Sequence, residues 1–138
     1  EVKAIIRLHP REVSNYSVYQ PYLDKLSNYE IYLDKGEELF SQISSCDVLV
    51  TSYSTVAKDA MILRKPIILQ DYLGNDYTGL LSKGVGFNAA DSESLRVYIK
   101  NLKEASIIID DEKYTSSLKE VYASLDFNVA KKISRFLK

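Results

Sequence analysis

The chain of 138 residues has the length of one folded domain, and its formal net charge is −1. This near-neutral charge argues against bulk electrostatic capture of nucleic acid. The single cysteine, Cys46, excludes an intramolecular disulfide, and the single histidine, His9, excludes a metal site built from several histidines. No apolar run reaches the ~20 residues that a membrane-spanning helix needs. We therefore expect a cytoplasmic domain that holds no metal.

Short apolar runs alternate along the chain with helical patterns. The predicted strands cover residues 3–8, 29–33, 48–50, 66–69 and 85–89. The predicted helices cover residues 21–26, 37–46, 56–63, 92–102 and 110–138, the last with a break near 126–128. Ser92 is the predicted N-cap of the fourth helix. This alternation predicts an α/β fold, a three-layer Rossmann-like domain with about five parallel strands.

The sequence contains no internal repeat, low-complexity segment or interdomain linker, so residues 1–138 form one predicted domain. The chain begins without a methionine, inside the first predicted strand. We therefore expect it to be a fragment of a longer protein.

The predicted strand ends indicate where a ligand would bind. Ligands of open parallel sheets bind beyond the carboxyl ends of the strands. The residues at those ends are 8–11, 34–35, 51–55 and 70–72. They include the one histidine and the densest cluster of hydroxyl side chains in the chain, which makes this edge of the sheet the predicted site.

The hydroxyl cluster lies in the turn before the third predicted helix. Backbone N–H groups at a helix start lack partners within the helix and attract phosphate, and Ser52, Ser54 and Thr55 add hydroxyl donors there. Asp59 follows Thr55 by four residues, on the same helical face, where it could bind a ribose diol. The structural alternative is that Ser52 or Ser54 is only an N-cap and that Asp59 is a solvated residue.

Four further polar residues at the strand ends have two interpretations each. His9 could donate a proton to a phosphate or act as an acid or base, or it could be structural. Arg11 could pair with a phosphate or be solvated. Asp34 and Asp71 are interpreted as caps or turn residues.

The order of these motifs resembles that of a known family. The motifs are Arg7–Arg11, Leu39–Phe40, Ser45–Thr55, Asp59–Ala60 and Arg64–Leu69. Together they resemble the carboxy-terminal, nucleotide-binding half of GT-B-type transferases. The sequence is closest to the CDP-glycerol glycerophosphotransferases of teichoic acid synthesis and to related capsule polysaccharide transferases. The resemblance covers about residues 3–102.

This resemblance implies a role for each site residue. The His-Pro histidine of the family contacts the donor diphosphate or assists the leaving group, which corresponds to His9. The hydroxyls of the turn hold the diphosphate, which corresponds to Ser52, Ser54 and Thr55, and the acidic helix residue holds the ribose, which corresponds to Asp59. Relatives often carry Asp where this chain has Ser52.

The resemblance also implies the partners and the location. The donor would be a nucleotide-activated substrate, CDP- or UDP-linked, and no other cofactor is expected. The acceptor would bind in a separate amino-terminal domain, without which we expect this chain to turn over no substrate. We expect a cytoplasmic location, with contact to the inner membrane face through that other domain as an open alternative.

Two other functions are alternatives to the donor-binding domain. The chain is similar, more loosely, to the UDP-N-acetylglucosamine 2-epimerases and could be half of such an enzyme. It could also be a flavodoxin-like binding module without catalysis. Loss of nucleotide binding on substitution of Asp59 would favour the transferase interpretation.

Overall fold

A computed structural model of the chain describes residues 2–26, 28–32, 39–104 and 109–122. The chain divides into two compact units, Glu1–Gln42 and Ile43–Lys138. We describe each unit separately. Within the described residues, no helix combines the length and the apolar character needed to cross a membrane.

The first unit contains a pair of parallel strands and the connection between them. Strand β1 (Ala4–Arg7) pairs with β2 (Tyr29–Tyr32), and Ala4 lies opposite Tyr29 in the register. A 3-10 segment (Val13–Val18) and the short helix α1 (Gln20–Leu23) form the connection. Pro21 occupies the first turn of α1, where its missing N–H costs no hydrogen bond. The division between the two units falls, in the sequence, within helix α2 (Leu39–Ser45).

The second unit contains a three-stranded parallel sheet in the order β3-β4-β5. The strands are β3 (Leu49–Thr51), β4 (Ile67–Leu69) and β5 (Phe87–Asn88). All three residues of the central strand β4 are buried, as is usual for a strand covered on both faces. Gly86, at φ +81°, precedes β5, and a Cβ atom there would lie 3.0 Å from the carbonyl oxygen of Ile67. Glycine therefore allows β5 to approach β4 closely.

Three helices belong wholly to the second unit. They are α3 (Val56–Ile62), α4 (Ser92–Lys103) and α5 (Asp111–Val121). Helix α3 buries Ala57, Ala60 and Met61, and α5 buries Tyr114 and Leu118. The Tyr114 hydroxyl donates to the carbonyl oxygen of Lys65 at 3.0 Å, and burial raises the pKa of Tyr114 to about 12. The loop before β4 is thus fixed to α5.

The strands lie within two residues of their predicted positions, and their parallel pairing is confirmed. The mixed composition of helices and parallel strands is that of an α/β protein. The pairing joins two strands in one sheet and three in another. A single five-stranded sheet with Rossmann-like layering stays a prediction.

The helix boundaries correct the sequence analysis at three places. Helix α5 ends at Val121, because Tyr122 has extended backbone angles, whereas the predicted helix continues to a break near 126–128. The predicted helix 21–26 ends already at Leu23 in α1, and the N-cap of α4 is Asp91 rather than Ser92. The Asp91 side chain accepts a hydrogen bond from the Ser94 N–H at 2.7 Å, and the Ser94 hydroxyl accepts from the Asp91 N–H at 3.2 Å. Asp91 has the extended backbone angles of an N-cap residue, φ −150° and ψ 175°, and Ser92 is already helical, so the cap forms one residue earlier. The predicted helix residues 37–38 and 123–138 lie outside the described residues.

Candidate functional site

The hydroxyl turn, Ser52–Thr55, connects β3 to α3. The Thr51 carbonyl oxygen accepts from the Gln70 N–H at 2.8 Å, which ties the start of the turn to the end of β4. The Ser52 and Ser54 side chains are half-buried, and Thr55 is exposed. Thr55 is the N-cap of α3, and its side chain makes no capping hydrogen bond. The structure therefore places the three hydroxyl residues in one turn at the carboxyl end of a parallel strand.

The sequence analysis expects the first N–H groups of α3 to lack partners within the chain, but in the structure three of them have acceptors in the turn. The Val56 N–H donates to Ser54 Oγ at 3.3 Å, and the Ala57 N–H donates to the Ser54 carbonyl oxygen at 3.3 Å. The Lys58 N–H donates to the Thr55 carbonyl oxygen at 2.9 Å. These three donors are used within the turn because Thr55 already has helical backbone angles, which tightens the first turn. Hydroxyl groups and the helix dipole are thus what this turn offers an anion.

Asp59 lies one helical turn beyond Thr55, and its side chain is half-buried. Burial raises the pKa of Asp59 above its usual value. Within the described residues, the Asp59 carboxylate has no hydrogen-bond or ion-pair partner. Asp59 is therefore not a fully solvated residue, and it carries a charge that is partly desolvated and uncompensated.

A shallow depression lies beside the hydroxyl turn, on the side of the loop that follows β4. It is too shallow to enclose a water molecule. Its lining comprises Ser52, Tyr53, Leu69, Asp71, Asp76, Tyr77, Thr78 and Leu81. The lining does not include Ser54, Thr55 or Asp59.

The sequence suggests that Asp71 is a turn residue, and the structure agrees. It is buried, and its two carboxylate oxygens accept from the N–H groups of Asn75 and Asp76 at 3.2 and 2.7 Å. The negative charge of Asp71 is therefore used to hold the loop.

Asp76 is a second loop-ordering residue, which the sequence analysis missed. It adopts a φ of 41°, and its carboxylate accepts from the N–H groups of Leu81 and Ser82 and from the Thr78 hydroxyl. Burial alone would raise the pKa of Asp76, but the hydrogen bonds from Ser82, Leu81 and Thr78 outweigh it and lower the pKa. An aspartate followed closely by threonine and glycine was the available signal in the sequence.

The turn around His9 is in the first unit. The Arg11 N–H donates to His9 Nδ1 at 3.2 Å, and the Glu12 N–H donates to the His9 carbonyl oxygen at 2.8 Å. The Glu12 carboxylate in turn accepts from the backbone N–H of His9 at 3.2 Å and from the Tyr19 hydroxyl at 2.9 Å. In the neutral imidazole ring, this arrangement makes Nδ1 the acceptor and leaves the proton on Nε2. His9 and Arg11 are both exposed.

Glu12 and Tyr19 are further residues that sequence reasoning missed. The hydrogen bond to Glu12 is the main reason that the pKa of Tyr19 is raised. No pattern in the sequence marks this pair, because the six residues of the 3-10 segment Val13–Val18 separate them.

The structure brings some of the predicted site residues together within one unit. The β3–α3 turn of the second unit contains Ser52, Ser54 and Thr55, and the first turn of α3 contains Asp59. A turn of the first unit contains His9 and Arg11. Asp34 lies outside the described residues. Among the described residues there is no group of three or more His, Cys, Asp or Glu side chains that could hold a metal ion.

A comparison with protein families shows which family the chain belongs to. Residues 1–136 match the family described as CDP-Glycerol:Poly(glycerophosphate) glycerophosphotransferase, and the chain belongs to this family. It is thus a member of a transferase family of cell-envelope polymer synthesis. Comparisons with curated proteins and with solved structures gave no significant match. The epimerase and binding-module alternatives gain no support from the family match.

Proposed function

We propose that this chain is the donor-nucleotide-binding domain of a GT-B-type transferase, a glycerophosphotransferase or glycosyltransferase that acts in cell-envelope or capsule polysaccharide synthesis. The donor is a CDP-linked substrate, as the description of the family suggests. The acceptor is presented by a second domain, as the resemblance to GT-B enzymes implies.

The observation that carries this proposal is the environment of Asp59. Partial burial raises the pKa of Asp59, and no described group compensates its charge. A carboxylate kept in this state costs stability, and a ligand with a vicinal diol would satisfy both of its oxygens. The ribose of a nucleotide carries such a diol, and the hydroxyl turn that would receive its phosphates lies one helical turn away.

The remaining site residues act on the diphosphate in this proposal. Ser52, Ser54 and Thr55 donate hydroxyl hydrogen bonds to phosphate oxygens, and the dipole of α3 adds a favourable field. In glycerophosphate transfer, the acceptor oxygen forms a bond to the distal phosphorus while the bond from that phosphorus to the bridging oxygen breaks. The nucleoside monophosphate leaves with the electron pair, and the hydroxyl donors of the turn and the dipole of α3 stabilise the developing charge.

Calorimetric titration with CDP, UDP and CMP tests the proposal. We expect the unaltered chain to bind CDP, and Asp59→Asn to weaken CDP binding by about tenfold or more, because the amide cannot accept from two hydroxyls as a charged acceptor does. Glu93→Gln, which neutralises an exposed carboxylate on α4, is the control and should leave the affinity unchanged. Absence of nucleotide binding, or equal affinity of Asp59→Asn and the unaltered chain, would contradict the proposal.

A further inference from the structure

Two side chains close the turn that follows β1 by bonding to each other's part of the backbone. His9 Nδ1 accepts from the Arg11 N–H at 3.2 Å, and Glu12 Oε2 accepts from the backbone N–H of His9 at 3.2 Å. The Glu12 N–H also donates to the His9 carbonyl oxygen at 2.8 Å. The bond that a glutamate returns to an N–H three residues earlier is that of a capping box. A ring nitrogen of His9 here takes the place of the usual hydroxyl or carboxylate acceptor.

This arrangement determines which nitrogen of the His9 ring is available to a ligand. Nδ1 can accept from the Arg11 N–H only while it carries no proton, so the proton of the neutral ring is on Nε2. His9 is exposed, and within the described residues no group accepts from Nε2–H. The ring therefore presents a hydrogen-bond donor, which suits an oxyanion.

Glu12 is itself held in place from a second direction. Its other carboxylate oxygen, Oε1, accepts from the Tyr19 hydroxyl at 2.9 Å. This hydrogen bond favours the protonated phenol and is the main reason that the pKa of Tyr19 is raised. Tyr19 directly precedes α1, so the carboxylate connects the turn after β1 with the start of that helix. With both oxygens engaged, the carboxylate has one orientation, and so has the turn that it closes.

The negative charge of Glu12 allows two possible roles to be separated. A carboxylate three residues from a group that contacts a diphosphate repels the diphosphate. Electrostatics alone therefore predicts that removal of Glu12 strengthens donor binding. The hydrogen bonds predict the opposite, because without Glu12 the turn loses an acceptor and the His9 ring loses its fixed orientation.

We propose that Glu12, oriented by Tyr19, is a positioning residue that holds His9 with Nδ1 on the Arg11 N–H and Nε2–H available to an oxyanion. The inference rests on the proposed function, because contact with the donor diphosphate is the role that the family resemblance gives His9. Glu12 touches no part of the donor and acts only through the turn. Its removal weakens donor binding although it also removes a repulsive charge.

The nitrogen shifts of the imidazole ring test this positioning without any nucleotide. His9 is the only histidine of the chain, so a long-range proton–nitrogen NMR spectrum shows one ring. At about pH 8.5, where an ordinary imidazole is neutral, we expect an unprotonated Nδ1 and a protonated Nε2 in the unaltered chain. Glu12→Ala should move both signals toward the average of two exchanging tautomers. Glu12→Gln should not, because glutamine also serves at this position of a capping box.

Calorimetry with CDP tests the consequence for donor binding. We expect Glu12→Ala to weaken CDP binding about fivefold, because the oriented donor of His9 is lost. Glu12→Gln should bind CDP as the unaltered chain does. Asp24→Ala is the control, because it removes an exposed carboxylate of the same unit that accepts from Gln20 and takes no part in the turn. It should not weaken binding.

Tyr19→Phe tests the same connection in a variant that keeps Glu12, and it decides the matter if Glu12→Ala does not fold. It removes only the hydroxyl that orients the carboxylate, so it should shift the ring signals in the same direction and weaken CDP binding about twofold. Tyr22→Phe is its matched control, because Tyr22 is an exposed tyrosine of α1, and it should change neither measurement.

The outcomes separate this inference from the proposed function. If the unaltered chain binds no CDP, the proposed function fails, and the ring signals alone decide whether Glu12 positions His9. Unchanged ring signals in Glu12→Ala and in Tyr19→Phe would overturn the inference, and so would tighter CDP binding by Glu12→Ala. A Glu12→Gln protein that behaves as Glu12→Ala does would overturn it as well, because hydrogen bonding at this position would then not hold the ring.

Discussion

The starts of α3 and α4 both follow a parallel strand, but they are closed in different ways. At α4 the Asp91 carboxylate accepts from the Ser94 N–H, and Ser94 returns a hydrogen bond, so the chain itself completes the cap. At α3 the N-cap residue Thr55 makes no side-chain cap; Ser54 Oγ accepts from the Val56 N–H, and backbone carbonyl oxygens of the turn accept the next two N–H groups. One helix start carries its own anion, and the other does not.

This difference shows how two similar connections can serve different purposes. A carboxylate at a helix start satisfies backbone donors and neutralises the positive end of the dipole, which makes the start a purely structural element. Helix α5 follows the same pattern, because Asp110 accepts from the Lys113 N–H at 3.0 Å. At α3 no carboxylate caps the helix start, and the proposed function assigns the hydroxyls of Ser54 and Thr55 and the helix dipole to an external anion.

Among the variants that test this comparison, a carboxylate placed at the start of α3 should have the largest effect, and the effect should be on CDP affinity. We expect Ser54→Asp to weaken CDP binding by at least about tenfold, because the new charge repels the diphosphate. The helix should form as well as before, since an aspartate oxygen can accept from the Val56 N–H as Ser54 Oγ does. Calorimetry gives the affinity, and thermal unfolding checks the fold.

Ser92→Asp is the matched control for that variant, because it makes the same change at the exposed first residue of α4. It should leave CDP affinity unchanged. If Ser54→Asp binds CDP as tightly as the Ser92→Asp protein does, the two helix starts do not differ in the way described.

Removing the carboxylate from the start of α4 should have an intermediate effect. We expect Asp91→Ala to lower the free energy of unfolding by about 1 kcal/mol, because the Ser94 N–H loses its acceptor. Ser92→Ala should change it by no more than about 0.5 kcal/mol, since Ser92 is not the cap. Urea denaturation measures both values. A larger loss of stability for Ser92→Ala than for Asp91→Ala would mean that Ser92 is the N-cap, as the sequence alone predicts.

The smallest effect concerns the stability cost of Asp59 and its dependence on pH. Burial raises the folded-state pKa of Asp59 above the unfolded value of about 3.9, so ionisation destabilises the folded state once the pH exceeds the unfolded pKa. Asp59→Asn removes this penalty. The variant should therefore unfold at a slightly higher temperature than the unaltered chain at pH 7, and the gain should shrink as the pH falls toward the unfolded pKa.

Thermal unfolding across a pH series measures this difference. A gain that is independent of pH would mean that packing, and not the charge of Asp59, determines the stability. A less stable Asp59→Asn variant at pH 7 would mean that a group on the protein already compensates the carboxylate.

The strands could be predicted from the sequence because their signal is local. The run 66–69 is wholly apolar after its proline, and the structure buries all of β4. The hydroxyl turn and Asp59 were also predictable, because strand, turn and helix follow one another directly in the chain. The predicted N-cap of α4 was one residue too late, because Asp91 and Ser92 are both good N-cap residues and only the backbone angles decide between them.

Other features could not be predicted because they depend on non-local geometry. The hydrogen bonds of Asp76 to Leu81 and Ser82 require a backbone with positive φ at Asp76, which few residues other than glycine adopt. The hydrogen bond from the Arg11 N–H to His9 Nδ1 likewise depends on the turn that Pro10 imposes and on the side-chain angle of His9.

The central claim is that the hydroxyl turn and Asp59 bind a nucleotide diphosphate, and amide NMR spectra recorded during addition of CDP test it most directly. The account predicts that the largest shifts fall on residues 52–59, with the α4 start, residues 91–94, unchanged. Shifts concentrated at residues 91–94, or none at residues 52–59 under saturating CDP, would contradict it.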